Sequence, residues 1–114
     1  MMNMQAAPDM DQMLGHAREV ATLLKTIAHE VRLMALCLLV HGERSVSALN
    51  REIGVSQSVL SQHLAILRRE NLVSTRREAQ VVYYSLANDN VVRIMEVLYR
   101  IYCTDNGTNG PDSG

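Results

Sequence analysis

The chain has 114 residues, the size of one compact domain, which excludes a multidomain enzyme. Hydrophobic residues make up 47% and charged residues 20% of it, enough apolar material for a core and no signature of overall disorder. The net charge of −1 is unevenly spread, with −2 over residues 1–30, +3 over 31–80 and −2 over 81–114, so only the middle segment suits a face turned to phosphates.

In chain order, residues 1–10 lack periodicity and lack the basic-then-apolar layout of a secretory signal. A disordered tail and a cytoplasmic location are expected. Residues 11–103 are expected to fold as one domain. Met13, Ala17, Val20, Ala21, Leu24, Ile27 and Ala28 recur at helical spacing and mark a first helix with an apolar stripe. A second helix is expected from Glu30 to His41, with Leu33, Met34, Cys37 and Val40 on one face and Gly42 ending it. The longest apolar run, Leu33 to Val40, lies in it and falls well short of the ~20 residues that span a bilayer, so no membrane partner is expected.

Ser45 to Ile53 reads as a short third helix, Gly54 as a permissive turn, and Ser56 as the N-cap of a fourth helix reaching about Glu70, with Leu60, Leu64 and Leu67 facing inward. Leu72 to Arg77 and Gln80 to Leu86 are rich in Val, Tyr and Thr and read as a two-stranded hairpin turning at Glu78 and Ala79. Asn88 caps a fifth helix with one stripe of Val91, Ile94, Leu98 and Ile101 beside a second of Met95, Tyr99 and Cys103. Residues 104–114, dominated by Asn, Gly, Asp, Ser and Pro, read as a second disordered tail. The expected fold is mainly α with a small β-hairpin, in the order α-α-α-α-β-β-α: a winged helix-turn-helix.

A short helix, a glycine turn and a second helix with a polar outer face place that second helix in the major groove of DNA. Ser56, Gln57, Ser58, Ser61, Gln62 and His63 cluster at its start, where hydroxyl, amide and imidazole groups meet base edges. Arg68 follows on the same helix, and the hairpin, with Arg76 and Arg77 expected at its tip beside Gln80, acts as a wing over a neighbouring phosphate or the minor groove. Taken singly, each of these is an ordinary solvated side chain; the cluster beside a basic hairpin favours duplex DNA. Aromatic residues are 4% and all tyrosine, which disfavours a reader that stacks single-stranded bases.

The runs Ile27-Ala28-His29-Glu30-Val31-Arg32-Leu33 and Ile53-Gly54-Val55-Ser56-Gln57-Ser58-Val59-Leu60-Ser61-Gln62-His63-Leu64, with Leu67-Arg68 and Val81-Val82-Tyr83-Tyr84, resemble the ArsR/SmtB family of bacterial repressors over about residues 15–103. The resemblance implies a homodimer built through the first and last helices, an operator that is an imperfect inverted repeat, and release on sensing an inducer. The metal patterns of that family are not matched: the third helix has no cysteine, and Asp89 in the last helix lacks the histidines that would complete a zinc site. No metal and no cofactor are expected. The contexts Ala35-Leu36-Cys37-Leu38-Leu39 and Leu98-Tyr99-Arg100-Ile101-Tyr102-Cys103 resemble the dithiol subgroup that includes BigR, SqrR and HlyU. That resemblance implies that Cys37 and Cys103 respond to reactive sulfur species, or to oxidants, by becoming linked. Taken without it, Cys37 is a small core residue and Cys103 incidental. A peroxide-sensing or metal-responsive regulator of the same fold, and a dimeric scaffold without DNA binding, remain the alternatives; no constellation supports an enzyme.

Overall fold

Each helix begins at a side chain that accepts a hydrogen bond from a backbone N–H of the first turn, which would otherwise go unpaired. In the computed structural model, which describes residues 9–103, Asp9 caps α1 (Met10–Ile27) and His29 caps α2 (Glu30–Leu39). Ser45 caps α3 (Val46–Ile53), Ser56 caps α4 (Gln57–Arg69) and Asn88 caps α5 (Asp89–Tyr102). Asp9 and Met10 thus belong to α1 and its cap rather than to the tail expected over residues 1–10, while the rest of that tail and the one expected over 104–114 lie outside the described residues.

Three strands complete the fold: β1 (Arg44–Ser45), β2 (Val73–Glu78) and β3 (Val81–Leu86), antiparallel in the order β1-β3-β2. The hairpin closes on the Glu78–Val81 pair, so its turn is Ala79-Gln80 rather than Glu78-Ala79. Ala79 takes the positive φ, 57°, that such a tight turn demands. The two-residue β1 was not anticipated; it pairs Arg44 with Tyr84 and Ser45 with Tyr83, and is too short to show alternation.

The core gathers around Leu36, Leu49, Leu60, Leu64, Leu67 and Met95, all essentially inaccessible. The inward face of α4 is the expected one. The second helix differs: Ala35, Leu36 and Leu39 are its buried residues, while Leu33 and Met34 are exposed. From Leu33 to Val40 this helix is apolar all round, so periodicity alone could not orient it. It also stops at Leu39, two residues early, in a turn where Gly42 adopts φ 127°. The α1 stripe is not covered within the chain; Met13, Val20 and Leu24 are exposed and only Thr26 and Ile27 are buried. Val97, Ile101 and Tyr102 on α5 are likewise open. Among the described residues no helix is long and apolar enough to cross a membrane.

Candidate nucleic-acid interface and thiol cleft

The helix-turn-helix is α3, a turn and α4. Gly54 ends α3 in the left-handed region at φ 81°, and the Asn50 side-chain amide donates to the Val55 carbonyl, closing the turn from the other side. The Ser56 hydroxyl then accepts from Val59 N–H at 3.2 Å. With Leu60, Leu64 and Leu67 buried, Gln57, Ser58, Ser61 and Gln62 are left exposed at positions i, i+1, i+4 and i+5, on one face. Ser56 is thus a cap as much as a surface group. Arg68 and Arg69 are exposed at the far end of α4.

Two of the expected contact residues sit differently. His63 is half-buried and turned toward α2: Arg32 Nη1 donates to its Nδ1 at 3.0 Å, and its ring lies 4.1 Å from that of His29. Burial, then His29, then Arg32 push the His63 pKa below the usual histidine range. Arg76 is not at the hairpin tip but opposite Tyr83, two pairs below the turn; Arg77 is one pair below it and Gln80 occupies the tip. Arg76 is also engaged, bonding Glu43 and Glu78 and lying over the Tyr83 ring at 4.6 Å. The hydrogen bond from Arg76 holds the Glu43 carboxyl below the usual carboxylate range. Arg77 is exposed on the opposite face of the strand. Sequence reasoning assigned no role to Arg32, Glu43 or Asn50. His29 and Arg32 lie in a run that it did single out, but His63, the partner of Arg32, is 31 positions further along.

A cleft of about 520 Å³ opens between α2 and α5. Leu33, Met34, Leu38 and Leu98 make its apolar walls, His41 and Tyr99 meet edge to face at 4.8 Å, and both cysteines line it. Cys37 is half-buried, Cys103 is the exposed residue that ends α5, and both are free thiols. Burial, reinforced by the negative charge that Cys103 can carry, pushes the Cys37 thiol up. Among the described residues no three His, Cys, Asp or Glu side chains group as metal ligands would.

The bacterial regulatory protein arsR family profile matches residues 29–75, from the cap of α2 to the wing. The transcriptional activator HlyU of Vibrio cholerae is 44% identical over 104 residues, which cover 90% of this chain and 96% of that protein. The chain belongs to the ArsR family. This ArsR-family member is 49% identical to the biofilm growth-associated repressor of Agrobacterium fabrum over 76% of its own length and 74% of the repressor's. Its fold superposes on reduced HlyU from Vibrio cholerae with a TM-score of 0.79 at 46% identity, covering 82% of this chain and 98% of that one. On the homodimeric winged helix-turn-helix DNA-binding domain Mb0332 of Mycobacterium bovis the TM-score is 0.68 at 32% identity, covering 86% and 89%. The ArsR-family chain is accordingly a winged helix-turn-helix transcriptional regulator and not an enzyme.

Proposed function

We propose that this regulator is a homodimeric repressor that binds an imperfect inverted repeat in duplex DNA and releases it when reactive sulfur species link Cys37 to Cys103. The observation that carries the sensing is the shared cleft: two cysteines 66 positions apart in sequence line one cavity between α2 and α5. Dimerisation is supported by the uncovered apolar residues of α1 and α5, which a single chain leaves in water, and by the homodimeric Mb0332 domain. DNA binding rests on the exposed polar face of α4, with Arg77 and Gln80 on the wing, Arg68 at the helix end and Ser56 at its start. In a dimer the two α4 helices would enter successive major grooves ~34–36 Å apart.

The thiol chemistry proceeds in two displacements. The exposed Cys103 thiolate attacks a sulfur atom of a hydropolysulfide, one S–S bond breaks, and a shorter hydropolysulfide leaves with the electron pair. The Cys37 thiolate then attacks the sulfur chain on Cys103 and expels hydrosulfide. Two thiols are oxidised by two electrons in total and sulfane sulfur is reduced to hydrosulfide. Exposure assigns the first attack to Cys103, because burial keeps Cys37 protonated to higher pH. Extra sulfur atoms relax the ~4.4–6.8 Å Cα separation that a simple disulfide requires. The bridge would tie α2, which packs on α4, to α5 and so alter the spacing of the two reading helices.

The test is intact-mass spectrometry paired with DNA binding after polysulfide, peroxide and zinc in separate samples. Polysulfide is expected to add one to two sulfur atoms between the cysteines, giving bridges of three or four sulfurs, and to lower DNA affinity by ~30–150-fold, a coupling of 2–3 kcal/mol. Cys37→Ser and Cys103→Ser are expected to bind DNA when reduced and to stay bound after polysulfide. Release from either variant would overturn the switch.

A further inference from the structure

We infer that Arg32 is a positioning residue for DNA reading that acts through His63, and that the contact makes sequence-specific binding sensitive to protons. The inference rests on the reading of α4 as the DNA-contacting helix and adds a control that the thiol cleft does not supply. Arg32 reaches both ways: its Nε donates to the Thr26 carbonyl in the last turn of α1 at 2.6 Å, and its Nη1 to His63 Nδ1, midway along α4, at 3.0 Å. One guanidinium thus ties the end of α1 to the helix whose exposed face carries Gln57, Ser58, Ser61 and Gln62. Gln62 is the residue next to the tie.

The protonation states follow from the donors. An arginine N–H can only donate, so His63 Nδ1 must be a bare acceptor and its ring neutral. The neighbouring ring is held by a separate bond, in which His29 Nδ1 accepts the backbone N–H of Val31 as the N-cap of α2. The two rings lie 4.1 Å apart, and the Arg32 contact holds only while the His63 ring is uncharged. The groups that face His63 offer a proton no compensation. From α2 and its cap they are Arg32 and His29, both cationic or potentially so; from α1 the link is the Thr26 carbonyl on the far side of Arg32; its neighbours on α4, Gln62 and Leu64, are uncharged. Protonation turns the acceptor into a donor aimed at another donor and sets a positive ring beside a guanidinium. The contact breaks, and the polar face of α4 loses the support that fixes it against α1 and α2. The direction of the His63 shift agrees: the folded protein holds the ring neutral to lower pH than an ordinary histidine, so the tie is complete above the usual histidine range and is lost as pH falls through the depressed value.

The experiment uses the full, reduced chain and two duplexes of equal length, one selected by this protein from a random-sequence pool at pH 7.5 and one scrambled. Fluorescence anisotropy at pH 7.5, 6.5 and 5.5 and constant ionic strength gives the ratio of the two affinities, which divides out the general attraction of added positive charge for DNA. The wild-type ratio is expected to fall with pH, by up to about tenfold for each unit by which the His63 midpoint in the complex with the selected duplex lies below that in the complex with the scrambled one. His63→Gln, whose amide oxygen can accept from Arg32 without titrating, is expected to keep a flat ratio. A flat wild-type profile, or a His63→Gln profile that follows the wild type, overturns the inference. Should His63→Gln fail to fold, the His63 midpoint read by NMR in wild type and Arg32→Gln decides: a rise in the variant supports the tie, and equal midpoints overturn it. If no duplex is selected and neither is bound at any pH, the DNA-reading role of α4 fails instead, and the NMR midpoints still test the Arg32–His63 contact.

Discussion

Arg76 on the wing and Glu43 in the turn after α2 meet through two parallel hydrogen bonds, Nε to Oε2 at 2.7 Å and Nη2 to Oε1 at 2.9 Å. This fork-to-fork geometry is the strongest arrangement open to such a pair. It joins β2 to the turn that follows the helix carrying Cys37, and beside it Arg44 of β1 donates from Nε to the Leu38 carbonyl of that helix at 3.1 Å. Glu78 takes the third bond of Arg76 at 2.9 Å. Two carboxylates therefore already answer this cation. Arg77→Ala is expected to lower the slope of log affinity against log salt by about 1, while Arg76→Ala leaves the slope nearly unchanged. Titrations of both variants over a salt series check this, and an equal drop for both would show that Arg76 leaves its partners to meet a phosphate.

Gln62 is exposed on the polar face of α4 and has no partner role in the core. If it pairs with a base edge, Gln62→Ala loses ~1–3 kcal/mol at the selected sequence and nothing on scrambled duplex. Competition binding with both duplexes measures the difference. A uniform loss on the two would move Gln62 from base reading to backbone contact.

The thiol pair yields a prediction in pH. Burial first, and the neighbouring Cys103 charge second, raise the Cys37 thiol, so its thiolate appears only above the ordinary thiol range. Alkylation by a small electrophile at neutral pH is expected to mark Cys103 first. In Cys103→Ser the Cys37 midpoint is expected to fall while staying above the ordinary value, because the charge is removed and the burial is not. Peptide mass spectrometry across a pH series reads both, and an unmoved Cys37 midpoint in the variant would show that the two thiols do not sense one another.

Ile101 on α5 is 63% exposed, yet apolar and next to the still more open Tyr102. In a dimer built through α5, Ile101→Asp is expected to give a folded monomer with wild-type helical content and much weaker DNA binding, since one half-site alone remains. Sedimentation and circular dichroism together check it. A dimer that persists in the variant would place the interface elsewhere.

Local rules were sufficient for much of this chain. Ser56 and Asn88 announce helix starts, Gly54 supplies a left-handed turn, and Leu60, Leu64 and Leu67 define an inward stripe, because capping, turn geometry and helical periodicity act over about four residues. The polar face of α4 follows from that stripe, and with it the helix-turn-helix. The arrangement of α2 does not follow, since a helix apolar on every side has no preferred face until α3, α4, α5 and β3 pack around it. Packing alone also decides that His63 turns to Arg32 across 31 positions and Arg76 to Glu43 across 33. The same holds for Cys37 and Cys103, whose common cleft exists only where α2 and α5 lie side by side. Contacts between residues so far apart in sequence are set by how the helices stack to bury their leucines, and no spacing along the chain encodes that stacking by itself.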